Sequence, residues 1–141
     1  MQELNTSYVV AVAEQLSFVS AFLGGISATI LVTIVVFTSP KKSVSWIVSS
    51  SALAASCLLI AVVAAWRLTI LLHPEFPTPV NATVVQILWN GMLMGYGLGF
   101  LSLIASIGLS GWLRSKKNGL ITTGIASIAV VFFVIATPYG F

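Results

Sequence analysis

Four long apolar stretches separated by short polar segments dominate the pattern of this chain. They run from about Leu16 to Phe37, Val44 to Leu72, Thr83 to Leu113 and Leu120 to Thr137. Each is long enough to cross a hydrocarbon layer about 30 Å thick, which takes about 20 helical residues. The stretches are too continuously apolar for the alternating pattern of a barrel strand. The pattern therefore predicts four membrane-spanning α helices.

Tryptophans mark the ends of the second and third stretches. Trp46 and Trp66 are 20 positions apart, and Trp89 and Trp112 are 23 positions apart. Tryptophan rings favour the boundary between lipid and water, so these separations fit helices that cross a bilayer. We predict that all four tryptophans are membrane-interface anchors.

The composition supports residence in lipid. Hydrophobic residues make up 58% of the chain and charged residues 6%, with a mean hydropathy of +1.09. Such a chain has too little polar surface to coat a soluble globule. The short connections also leave no room for a separate catalytic domain. The predicted fold is an all-α integral membrane protein, a single four-helix bundle over residues 1–141.

The basic residues predict the orientation of the bundle. Five of the six Lys and Arg residues fall in the first and third connections: Lys41, Lys42, Arg114, Lys116 and Lys117. By the positive-inside bias, these connections are cytoplasmic and both termini lie outside. Their expected partners are the lipid bilayer and its anionic headgroups. Nucleic-acid binding is not expected, because the basic residues are dispersed over two short turns.

Small residues predict where helices approach closely. On the third helix, Gly91, Gly95 and Gly99 recur every four residues like a glycine zipper, and Ser102 and Ser106 continue a small-residue strip. On the first helix, the strip is Ser20, Gly24 and Ala28. In lipid, close contact along such strips is a main source of helix association. The strips fit packing within one chain or a seam between chains, so we expect a homo-oligomer or a complex with other membrane subunits.

Polar side chains gather toward the predicted outer face. The cluster comprises Glu14, Gln15, Arg67, Gln86 and Asn90. An ion pair between Glu14 and Arg67 would offset the cost of a charge at the membrane boundary. The alternative is that Arg67 extends alone into the headgroups. The cluster as a whole fits polar anchoring or the mouth of a ligand site.

Candidate catalytic chemistry is sparse. The segment His73-Pro74-Glu75 lacks the paired ligands at helical spacing that a metal site needs. The single cysteine, Cys57, rules out a disulfide within the chain and is interpreted as a small packing residue. We therefore predict no catalytic residue, no metal, no cofactor and no enzymatic activity.

Three functional classes follow from these features. An accessory or structural subunit of a membrane complex fits the small-residue strips and short loops best. A homo-oligomeric channel is the alternative, and it would need a neutral or hydrophobic gate because no charge lies at the midplane. A small transporter is the weakest of the three, since the spans contain no midplane carboxylate. The expected location is the cell membrane, most simply a bacterial inner membrane. The two Asn-x-Ser/Thr sequences at Asn5 and Asn81 would be glycan acceptors only in a eukaryotic secretory membrane, and they fit chance occurrence.

Overall fold

The structure, a computed structural model, describes residues 6–37, 42–73, 81–113 and 115–136. These residues form α1 (Thr6–Phe37), α2 (Lys42–Leu71), α3 (Ala82–Ser110), a 3₁₀ turn (Gly111–Leu113) and α4 (Lys116–Ala136). All four α helices contain segments long and apolar enough to cross a membrane: Thr6–Val36, Val44–Leu71, Ala82–Leu113 and Lys116–Ile135. The predicted all-helical architecture with four candidate spans is confirmed.

The first helix begins ten residues before the start of the predicted span at Leu16. Val9 and Ala13 in its early turns are buried, and they continue the line of buried residues that runs farther along α1. Packing against the rest of the molecule therefore continues the helix back to Thr6. At about 1.5 Å per residue, α1 is about 48 Å long, which is longer than a hydrocarbon layer requires.

Side-chain caps mark the starts of α3 and α4. The Asn81 side-chain oxygen accepts a hydrogen bond from the Thr83 backbone N–H at 2.9 Å. The Ser115 hydroxyl oxygen accepts from the Asn118 N–H at 3.2 Å. Both bonds satisfy backbone donors that the first turn of a helix leaves without intrahelical partners. The fourth helix therefore starts at Lys116, four residues before the predicted span.

The centre of the molecule is α2, which packs against α1 on one side and α3 on the other. Apart from Ala64, its buried positions alternate between spacings of three and four: Val44, Ile47, Ser51, Ala54, Leu58, Ala61, Ala65 and Leu68. The buried Ala13, Ser20, Ser27 and Ile34 of α1 recur every seven residues. An average period of 3.5 is typical of helices packed side by side in a left-handed bundle.

Two apolar clusters lie at opposite ends of these three helices. Ile34, Val44 and Ile47 form one cluster at the end where α1 finishes and α2 starts. We call this the basic end, because Lys42 and Lys116 are the first residues of α2 and α4. The cluster at the other end, the far end, consists of Ala13, Ala64, Ala65, Leu68 and Met92.

The fourth helix is peripheral. Within the described residues, α4 packs against α3 and the 3₁₀ turn and makes no contact with α1 or α2. Most of its apolar side chains are consequently exposed, as Ile128 and Phe132 illustrate. The arrangement is a three-helix unit with a fourth helix on one flank.

Candidate functional site

Two of the predicted glycines bring α3 against the backbone of α2. A methyl group at Gly95 would lie 2.9 Å from the Cys57 carbonyl oxygen and 3.1 Å from the Ala61 nitrogen. A methyl group at Gly99 would lie 2.6 Å from Leu58 Cγ. Both glycines are buried. Their lack of a side chain therefore allows α3 to approach α2 more closely than any other residue would.

The remaining residues of the predicted α3 strip have different surroundings. A methyl group at Gly91 would meet nothing within 4 Å. Ser102 is half-buried, whereas Ser106 is buried and its hydroxyl donates a 2.8 Å hydrogen bond to the Leu103 carbonyl. The strip thus contacts α2 chiefly through its middle section.

The predicted strip on α1 crosses from the interior to the surface. Ser20 is fully buried, a methyl group at Gly24 would lie 3.7 Å from Leu58 Cβ, and Ala28 is exposed. The buried line of α1 continues instead through Ser27. The Oγ atoms of Ser20 and Ser27 have no hydrogen-bond partner in the described part of the chain. Their small side chains fit a close approach of the helices.

A separate small-residue surface lies on the outside of α1. Glu14, Ala21, Gly25 and Ala28 are spaced by seven, four and three residues, so they share one helix face, and all four are exposed. We call this surface the α1 outer face. A methyl group at Gly25 would meet nothing within 4 Å. The described residues of the chain therefore leave this face uncovered.

The five residues of the predicted outer polar cluster lie on three helices. Glu14, Gln15, Arg67, Gln86 and Asn90 are all exposed. Glu14 and Arg67 adjoin Ala13 and Leu68 of the far-end cluster, so they lie at similar depths. Within the described residues, no hydrogen bond or ion pair joins any two of the five. The structure therefore places these side chains at one level without bringing them together into a site.

The predicted anchors occupy both ends of the molecule. Trp66 lies on α2 at the far end and is exposed, and Trp89 packs against the far-end cluster. Trp46 and Trp112 lie at the basic end, and both are exposed. Lys116 and Lys117 are exposed on the first turn of α4, whereas Lys41 and Arg114 lie outside the described residues. Lys42 is the first residue of α2, but its side chain lies outside the described part of the structure.

An apolar groove of about 530 Å³ separates part of α4 from α3. We call it the α3–α4 groove. Its walls are Leu101, Ile104, Ala105, Gly108 and Leu109 of α3 and Thr123, Ala126, Ser127, Val130 and Val131 of α4. It is open along one side. Its lining is almost entirely apolar, since the Ser127 hydroxyl is turned back to its own helix and donates to the Thr123 carbonyl.

Polar contacts join α3 and α4 where the groove ends near the basic end. The Thr122 hydroxyl donates to the Gly108 carbonyl of α3 at 2.9 Å and lies within hydrogen-bond distance of the Asn118 and Gly119 carbonyls of its own helix. The Trp112 indole N–H donates to Thr123 Oγ1 at 3.0 Å. These contacts were not predictable from the sequence, because a threonine in a helix usually bonds to its own backbone.

Aromatic rings join α3 and α4 at the other end of the groove. The Phe133 ring centroid lies 4.8 Å from that of Phe100 and 6.2 Å from that of Tyr96. These distances are typical of favourable aromatic pairs. Tyr96 and Phe100 are four residues apart on α3, and this spacing is the one signal in the sequence that could have indicated an aromatic contact.

The described residues contain no group of three or more His, Cys, Asp or Glu side chains that could hold a metal ion. Cys57 is a half-buried free thiol. Comparisons with protein-family models, curated proteins and solved structures give no match to this chain. Two surfaces are left open by the described helices: the α1 outer face and the α3–α4 groove.

Proposed function

We propose that this protein is a multi-pass membrane protein that acts as an accessory subunit of a larger membrane complex. In this proposal the basic end faces the cytoplasm and both termini lie outside. The four long apolar helices support insertion, and the lysines at the starts of α2 and α4 support the orientation.

The observation that carries the proposal is the α1 outer face. Ala21, Gly25 and Ala28 form an exposed strip about two turns long on which another helix can pack closely, because none of the three has a side chain larger than a methyl group. Glu14 lies on the same face about two turns inside the start of α1, and the exposed Phe18 separates it from Ala21. An exposed carboxylate on a membrane-spanning helix is costly unless a basic or hydrogen-bonding group meets it. A partner helix with such a group would cover both features together.

Substitution of Gly25 tests the proposal. Gly25→Leu adds a side chain where the structure has open space, so the fold is expected to persist while the partner helix is displaced. Gly124→Leu is the matched control, since Gly124 of α4 is also exposed and its added methyl group also meets nothing within 4 Å. The measurement is native mass spectrometry of the tagged protein after gentle extraction from its own membrane.

The expected result is a stoichiometric complex with a foreign chain that Gly25→Leu abolishes and Gly124→Leu preserves. A mass that contains only copies of this chain would overturn the accessory role and favour the homo-oligomeric channel instead. A foreign chain that both variants retain would show that the α1 outer face is not the contact surface.

A further inference from the structure

We propose that the α3–α4 groove binds one acyl chain of an anionic phospholipid, whose headgroup lies beside Lys116. The inference rests on the membrane insertion and orientation proposed above, but not on a partner subunit. It assigns a ligand to a surface that the accessory role leaves unused.

The length of the groove fits a lipid chain from one leaflet. On α3 its lining runs from Leu101 to Leu109, a rise of about 12 Å along the helix. One half of the hydrocarbon layer is about 15 Å thick. A partner helix that crosses the whole bilayer needs a continuous groove about twice as long. The ring of Phe133 against Phe100 prevents such a groove, because it closes the space between α3 and α4 beyond Leu101.

The groove is held open by contacts within the chain. On the side toward the basic end, Thr122 joins α4 to α3 and Trp112 joins α4 to the 3₁₀ turn that follows α3. The aromatic rings join α3 and α4 at the other end. Collapse of the middle section would require these contacts to shift. The apolar walls are therefore available to an acyl chain that enters from the open side, and burial of its surface against them favours binding.

The charge at the edge of the groove favours an anionic headgroup. Lys116 precedes the groove residue Thr123 by seven positions, so both lie on the same face of α4. Lys117 is rotated by about 100° from that face. The indole of Trp112 lies between the level of Lys116 and the level of Thr123 along α4. It is exposed and donates a hydrogen bond to Thr123. Tryptophan and lysine at the cytoplasmic boundary are the residues that contact anionic headgroups.

Competitive lipid binding tests the proposal. The purified full chain is incorporated into nanodiscs that contain equal amounts of phosphatidylglycerol and phosphatidylcholine with identical acyl chains, and retained lipids are counted by native mass spectrometry. The wild-type protein is expected to retain one phosphatidylglycerol in preference to phosphatidylcholine. Lys116→Gln is expected to lower that preference about fivefold, which corresponds to about 1 kcal/mol per lysine near an anionic surface.

Two matched controls separate the site from general lipid contact. Lys117→Gln also removes one lysine charge, but at a position that does not lie on the groove face. It should leave the retained fraction of phosphatidylglycerol nearly unchanged. Ser127→Phe fills the groove and should abolish retention, whereas Ser56→Phe makes the same change at an exposed position of α2 and should not. Lys116 lies on an exposed helix start, so Lys116→Gln is informative even where Ser127→Phe fails to fold.

Three outcomes would overturn the proposal. Equal retention of the two lipids would show that the groove has no headgroup preference. Equal losses in Lys116→Gln and Lys117→Gln would show a diffuse basic surface instead of a site. A dimer mass that Ser127→Phe removes would show that a second copy of the chain occupies the groove. Failure of the accessory role leaves this result unaffected, because the experiment contains no partner protein.

Discussion

The third helix has one tight interface and one incomplete interface. Toward α2, the buried glycines Gly95 and Gly99 bring backbone against backbone. Toward α4, contacts concentrate at the two ends of the α3–α4 groove and leave its middle open. The same helix thus packs in two ways on two sides.

The difference follows from which residues oppose each other. On the α2 side, Gly95 faces backbone atoms of α2 and Gly99 faces Leu58, so α3 places no side chain of its own between the helices at these positions. On the α4 side, the small Gly108 faces Ala126, and this close approach is confined to a short section near the basic end. In the proposed lipid environment there is little hydrophobic drive between helices, so packing is only as extensive as the small surfaces allow. Association of α4 therefore depends on a few polar and aromatic contacts.

The largest expected effect breaks the tight interface. Gly95→Ala places a methyl group against backbone atoms of Cys57 and Ala61, which cannot rotate away. We expect a loss of about 1–3 kcal/mol in the free energy of unfolding, as overpacked cores show. The measurement is the melting temperature in detergent, followed both by tryptophan fluorescence and by reaction of a thiol dye with Cys57.

Gly91→Ala is the control for this prediction. Its methyl group meets nothing within 4 Å, and alanine is the better helix former, so stability is expected to stay unchanged or rise. Equal destabilisation by the two substitutions would contradict a specific backbone contact at Gly95.

The next effect is confined to α4 and is expected at the aromatic end of the groove. Phe133→Ala removes both ring contacts with α3, and each aromatic pair contributes about 0.5–1.5 kcal/mol. The end of α4 should then separate from α3 while α1, α2 and α3 stay folded. Spin labels at the exposed Leu98 and Ile135, on a Cys57→Ser background, would report a broader distance distribution.

Phe132→Ala is the matched control, because that ring is exposed on the same helix. If the distance distribution in Phe133→Ala is as narrow as in Phe132→Ala, the aromatic contacts do not hold α4 against α3.

The smallest expected effect concerns the hydrogen bond between α4 and α3. Thr122→Val keeps the shape of the side chain and removes its donation to the Gly108 carbonyl. Interhelical hydrogen bonds in membranes contribute about 0.6 kcal/mol on average, so the melting temperature should fall only slightly. Thr69→Val removes a bond to the Ala65 carbonyl of the same helix and is expected to have less effect. A larger loss for Thr69→Val would contradict an interhelical role for Thr122.

Much of the architecture was predictable because continuous apolar stretches in a chain with so little charge permit few folds. The number of helices followed from stretch length, and the connections followed from the polar segments between them. The extension of α1 back to Thr6 was not predictable from hydropathy alone. It depends on Val9 and Ala13, which are buried by contact with the rest of the molecule.

The candidate surfaces were predictable only in part. The sequence indicated small-residue strips but could not assign each strip to an interior or an exterior face, because helix rotation is decided by packing. The structure turns Gly95 toward α2 and leaves Gly25 on the α1 outer face. The proposed pair of Glu14 and Arg67 shows the same limit. Similar depths followed from counting residues, but whether the side chains meet depends on the angle at which each leaves its helix.

The sequence by itself determined that the chain forms four long apolar helices, since helical periodicity and span length are local properties. Only the tertiary structure decided that three helices form a close unit while α4 stays on one flank. It also decided that a groove lies between Leu101 and Val131. The physical reason is that the closeness of two helices depends on which residues face each other, and that relation joins positions far apart in the chain.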